Sequence, residues 1–281
     1  MEIDIKASAV ITLTVTALVL LALPVAAVIF WKKRCGKSVS LMPLIFGAVG
    51  FIASALVLEQ LVHTVCLVLD NPVSRFISGN TAAYVIYGAM MAGIFEECGR
   101  FVVMKFIMKK NKTRENAVMY GIGHGGIEVL AVGVMSVVNM LIVLAVIGVL
   151  GIDKALPLMN VPSDAPESTL QAAYAAIASA ADFSPFQGAI TVFERIIAMA
   201  IHISLTVTVY CGVMRGKIGY LFFAIFAHAA VDVFAALYQR GVIGIVTAEL
   251  CMLAGAAVLT ICGVRLYKGL KGEVQTEKQP L

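Results

Sequence analysis

Charge is scarce in this chain: Asp, Glu, Lys and Arg supply 14% of its 281 residues, against 60% that are hydrophobic. That much apolar surface does not fit inside one water-soluble core, so a soluble globular domain is excluded and no stretch reads as one. The six cysteines (Cys35, Cys66, Cys98, Cys211, Cys251, Cys262) form no CxxC pair and fall mostly inside apolar runs. There a thiol behaves as a small hydrophobe, and neither a disulfide framework nor a zinc ribbon is indicated. The basic start of a cleaved signal peptide is missing, since the chain opens Met1-Glu2-Ile3-Asp4. The first apolar run is therefore expected to stay as a span, with the N-terminus outside. The net charge of +4 sits largely in short loops, a pattern of membrane topology rather than of nucleic-acid binding.

What the chain does have is about seven apolar stretches, each near the roughly 20 residues that cross a hydrocarbon core of about 30 Å. Backbone amides in lipid must be satisfied internally, so helices are expected and a barrel is not. The fold class predicted is all-α: a polytopic transmembrane bundle in one integral membrane domain, 1–281, of the cell membrane. Its spans are placed at about 7–31, 39–69, 81–104, 116–150, 188–214, 218–238 and 242–266. The first closes on Trp31-Lys32-Lys33-Arg34, an aromatic anchor and a basic stop. The fourth apolar run covers about 36 residues, roughly 54 Å if wholly helical. It must tilt, break near its glycines or project from the bilayer. Residues 153–187 form a polar outer loop with Pro157, Pro162 and Pro166. Within it Leu170, Tyr174, Ile177 and Ala181 recur at helical spacing, which predicts a surface amphipathic helix over 167–181, a plain connector being the alternative. Loops 32–37, 105–114, 215–217 and the tail from 265 hold fifteen Lys and Arg; the opposite loops hold four, Lys6, Arg75, Lys154 and Arg240. That bias places the N-terminus out and the C-terminus in.

Ionisable residues inside the spans stand out against this background, because burying one in lipid is expensive and marks a functional site by default. Glu96, Glu97 and Arg100 interrupt the third span. Counting inward from the basic loops at about 1.5 Å per residue puts Glu96 and Glu97 roughly 12–14 Å deep, His124 about 15 Å, and His202 and His228 about 17–20 Å. Four helices thus bring two glutamates and three histidines to a similar depth. His124 and Glu128, and His228 and Asp232, are spaced i,i+4; Glu97 and Arg100 are i,i+3; Arg195 and His202 are seven apart. Each pair projects from one helix face. Gly121, Gly123, Gly125 and Gly126 around His124 permit close helix approach or a local opening for water.

Water, a carboxylate base and imidazole donors are what peptide hydrolysis requires. Two carboxylates side by side do not both ionise easily, which puts a proton donor beside a base, and Arg100 would keep one of them charged. Glu59 and His63, also i,i+4, lie near the outer end of their span and read as a structural pair.

Glu96-Glu97-x-x-Arg100, His124-Gly-Gly-Ile-Glu128, Phe193-Glu194 with His202, and Phe226-Ala-His228-x-x-x-Asp232 resemble the YhfC family of intramembrane proteases. The EExxR and HxxxD elements are similar, more broadly, to PrsW and to the CPBP group with its type II CAAX endopeptidases. The resemblance implies an intramembrane endopeptidase of the glutamic type, with Glu96 or Glu97 as general base and His124 and His228 orienting water or holding the oxyanion. Arg100, Glu128, Glu194, His202 and Asp232 would support them, with no cofactor. The CPBP group more often has Asn where Asp232 stands and three residues between its glutamates and the Arg, so the identity of the base is left open. One alternative is a zinc metalloprotease in which His124, His202 and His228 with a glutamate bind the metal, although HExxH is absent. The other is a non-catalytic scaffold or a proton-coupled transporter. The partners expected are membrane lipid and a transmembrane or membrane-proximal protein substrate; no nucleic acid is expected.

Overall fold

Each apolar run folds into a helix, since that is how a backbone satisfies its own amides without water. A computed structural model describes residues 4–108, 111–162 and 164–276, the last six by backbone alone, and among them there is no strand. Met1 to Ile3 and the basic residues Lys109, Lys110 and Lys278, used above for topology, lie outside the described residues. The main helices are α1 (Ala7–Cys35), α2 (Met42–Val68), α3 (Pro72–Gly79), α4 (Thr81–Val102), α5 (Arg114–Leu150), α6 (Glu167–Ala181), α7 (Pro185–Arg215), α8 (Gly219–Gln239) and α9 (Ile245–Thr276).

Six of them, α1, α2, α5, α7, α8 and α9, are long and apolar enough to cross a membrane. Helix α4 matches their length, but Glu96, Glu97 and Arg100 lower its apolarity. The protein is thus a multi-pass helical membrane protein.

Local sequence sets the helix ends. Asn71 accepts from the amides of Val73 (2.9 Å) and Ser74 (3.0 Å), while Ser74 Oγ accepts from the Asn71 amide (3.1 Å), a reciprocal cap that starts α3 with Pro72 in its first position. Asn80 caps α4 by accepting from the Ala83 amide at 3.0 Å. Helix α5 does not break at its glycines. It runs 37 residues through a π-helical stretch, Val129–Val134, and ends at Gly151, whose φ of +84° suits glycine.

The chain packs as two compact units, Met1–Val25 with Glu128–Ile196, and Ala26–Ile127 with Ile197–Leu281. In the first, α6 buries Ala173, Ile177 and Ala180 and packs on the Met135–Leu150 stretch of α5. Lys6 pairs there with Asp182 at 2.5 Å. In the second, α4 and α8 share the most extensive helix contact, α2 lies against α4, and α9 lies against α8. Its core gathers Met104, Tyr120, Leu205, Cys211 and Ala224.

Candidate functional site

Close helix approach seats the first histidine. A Cβ added at Gly123 would run into the Leu44 carbonyl oxygen, and one at Gly47 would strike the Tyr120 carbonyl and lie 2.8 Å from the His124 amide. Small residues at both positions let α2 and α5 touch backbone to backbone. His124 is thereby held fully buried, edge-on to Phe51 at 5.0 Å. Gly93 does the same between α4 and α8, where a Cβ would sit 2.6 Å from the Ile225 carbonyl. Glu97, one turn further along α4, is thus brought against His228, which follows Ile225 by three residues.

The second unit gathers Glu96, Glu97 and Arg100 from α4, His124 from α5, His202 from α7, and His228 and Asp232 from α8. Arg100 Nη1 donates to both oxygens of Glu97 at 2.7 Å, and neither side chain is exposed at all (0% each). Arg100 Nη2 donates to His202 Nδ1 at 3.1 Å, because a guanidinium has no acceptor to offer. Glu97 Oε1 also accepts from His228 Nδ1 at 2.9 Å, and His228 Nε2 lies 3.3 Å from Asp232 Oδ2. Glu96 Oε2 accepts from His124 Nε2 at 3.0 Å and lies 3.6 Å from His202 Nδ1. The imidazoles stand in a row, His124 to His202 at 5.0 Å and His202 to His228 at 5.4 Å. Asp232 is the group's most open carboxylate, with 33% of its side chain exposed.

The remaining predicted residues sit in the first unit. Arg195 Nη1 donates to Glu128 Oε1 at 2.9 Å, and Arg195 Nη2 donates to Glu194. Two same-face expectations are thereby redirected: His124 meets Glu96 rather than Glu128, and the Arg195 guanidinium is taken by two carboxylates rather than by His202. The Glu59–His63 pair forms at 3.2 Å, with Tyr87 OH on the other ring nitrogen at 2.9 Å. Sequence reasoning passed over Phe51 and Tyr120, whose rings flank His124; in an apolar helix an aromatic carries no signal of what it touches.

Ligand atoms of Glu96, His202 and His228 lie within 4.8 Å of one another, so these three can hold a metal ion. Two imidazoles and one carboxylate make a donor set suited to catalytic zinc. The zinc alternative drawn from the sequence names three histidines with a glutamate; His202, His228 and Glu96 are of that set, whereas His124 instead donates to the glutamate. The Glu97–His228 contact fits as well, since a metal-ligating histidine commonly gives its other N–H to a carboxylate.

A multi-pass helical bundle with a buried Glu/His/His cluster defines a membrane protein able to carry hydrolytic metal chemistry. A sequence model of the family described as YhfC intramembrane metalloprotease matches residues 19–252, and the chain belongs to that family. It is also 29% identical, over 257 residues, to the protein of Bacillus subtilis (strain 168) named "Uncharacterized membrane protein YhfC", covering 92% of this chain and 95% of that one. No solved structure matches. The family places the chain among membrane proteases, and its description as a metalloprotease gives no support to the expectation of a cofactor-free site.

Proposed function

We propose that this protein is a zinc-dependent endopeptidase of the cell membrane, cleaving a transmembrane or membrane-proximal segment of a protein substrate, with Glu96, His202 and His228 as the metal ligands. The observation that carries this reading is the convergence of those three ligand atoms within 4.8 Å in a buried cluster. The charges present support it: three carboxylates, Glu96, Glu97 and Asp232, stand against the single guanidinium of Arg100, a surplus of acidic groups that suits a cation.

When bound, zinc supplies Lewis-acid polarisation of the scissile carbonyl and a water acidified towards neutral pH. The chain's own residues do the rest. Glu97 is committed through both oxygens to Arg100 and through Oε1 to His228. Its role is to fix the His228 ring through Nδ1, so that Nε2, beside Asp232 at 3.3 Å, would be the nitrogen offered to a metal. His124 orients Glu96 in the same way through the 3.0 Å bond. Were His202 to ligate through Nδ1, the Arg100 Nη2 bond to that nitrogen would have to yield, while the fork on Glu97 keeps the guanidinium in place. Asp232, beside His228 Nε2 and the most exposed carboxylate of the group, would accept the proton of the attacking water and return it to the leaving amine.

A second reading, the metal-free glutamic mechanism, is favoured by the same His124–Glu96 bond, which sets a carboxylate base against an orienting imidazole. Metal analysis of purified protein separates the two. About one zinc per chain, lost in Glu96→Gln, His202→Ala and His228→Ala but kept in Asp232→Asn with cleavage of a membrane reporter abolished, is the expected pattern. Reporter cleavage by protein free of stoichiometric metal would establish the glutamic mechanism instead.

A further inference from the structure

A second site lies within the same unit, between α1, α5, α7 and α9: a cavity of about 940 Å³. Its lining carries two chemistries. Arg34, Arg114 and Lys268, with Trp31 and Tyr267, form a cationic end where α1 closes and α5 begins. Further along the helices the lining is mostly apolar, with Val118, Ile203, Val207 and Val264 and the hydroxyls of Ser204 and Thr260. Glu115 is the only acidic residue in the lining among the described residues, and it is already engaged: Arg114 Nε donates to it at 2.8 Å and Tyr267 OH at 3.2 Å. Arg114 is held in turn by its bond to the Tyr267 carbonyl (3.0 Å) and by lying 4.4 Å over the Tyr267 ring. Among the described residues Arg34 and Lys268 form no ion pair, and both are exposed. Three cations against one carboxylate leave this end with two positive charges. Trp31 fixes the rim by donating from Nε1 to the Glu115 carbonyl at 2.9 Å, edge-on to Tyr267 at 6.0 Å.

A cationic, aromatic rim over an apolar trough suits an amphiphile with an anionic head, and a soluble anion would leave the trough unfilled. Basic pockets between membrane helices recognise anionic lipid headgroups, and Trp and Tyr mark headgroup depth. The volume stands at the upper end of ligand sites, about 300–1,000 Å³. We infer that this cavity binds an anionic glycerophospholipid, with its phosphate on Arg34, Arg114 and Lys268 and an acyl chain along Val118, Ile203, Val207 and Val264. The site is independent of the metal cluster. A lipid seated there braces α7, whose Ile203 lines the trough next to His202.

Native mass spectrometry of the full chain released from nanodiscs tests the inference with phosphatidylglycerol, phosphatidylcholine and soluble glycerol phosphate as probes. Phosphatidylglycerol should be retained in preference to phosphatidylcholine, and glycerol phosphate should not bind. The double variant Arg34→Ala/Lys268→Ala should bind phosphatidylglycerol roughly thirtyfold more weakly. Val264→Trp should reduce retention by filling the trough, with the basic rim intact. Lys33→Ala, exposed on the same turn of α1 but outside the lining, should change nothing. Equal retention of both lipids, an equal loss in Lys33→Ala, or undiminished binding in both cavity variants would overturn the proposal. So would displacement of the lipid by a hydrophobic transmembrane peptide, which would make the trough a substrate groove.

Discussion

Removing the charge of Glu97 tests how the cluster is held together. Glu97→Gln keeps the shape of the side chain and an acceptor for His228, but takes from Arg100, which has no exposed surface, its directly paired carboxylate. Breaking one partner of such a pair costs about 3–5 kcal/mol, whereas removing both together with similar volume is close to neutral. The variant should therefore unfold at clearly lower denaturant, and Glu97→Gln/Arg100→Met should recover most of the loss. The coupling between the two positions should be at least about 2 kcal/mol, above the usual range for independent sites. Reversible unfolding in mixed micelles, followed by fluorescence of Trp31, the single tryptophan, measures both. Wild-type stability in Glu97→Gln, or a double variant worse than the two singles added, would refute the buried fork.

His124→Ala should keep its metal and His228→Ala should lose it, as inductively coupled plasma mass spectrometry of the purified variants would show; loss in both would restore His124 to the ligand set. Gly123→Ala, which forces a Cβ onto the Leu44 carbonyl, should destabilise by about 1–3 kcal/mol as an overpacking change. Gly88→Ala, with nothing within 4 Å, should be neutral or stabilising by up to about 1 kcal/mol, and unfolding midpoints compare the two.

The helices were legible because lipid leaves the backbone few options, and most of their ends moved by only a few residues: the run expected over 188–214 is helix Pro185–Arg215, whereas the last, expected to end near 266, continues to Thr276. Residues taken to lie at similar depth on four helices, Glu96, Glu97, His124, His202 and His228, do form one cluster. Same-face spacing was a weaker guide, because it says which groups can meet and not which will. His228 and Asp232, and Glu97 and Arg100, use theirs at 3.3 and 2.7 Å. His124 and Glu128 do not, since each has a partner on another helix. Nothing in the spacing along one chain reports a stronger partner arriving from elsewhere.

The adjacent glutamates carry the main lesson in physical terms. Side chains next to each other on a helix are about 100° apart around its axis, so neighbours in sequence do not face each other. Glu96 turns to His124 and His202, and Glu97 turns to Arg100 and His228. A pair read as two carboxylates sharing one proton is better understood as two separate tools. One is committed to an arginine and fixes a histidine; the other stays among imidazoles, where a cation or a water can reach it. Arg100 makes this division possible, because its i,i+3 spacing from Glu97 returns it to that residue's face, and its second nitrogen then reaches across to His202. On the zinc reading proposed above, EExxR is one device, in which the arginine immobilises the second glutamate while the first faces the histidines that would share the metal with it.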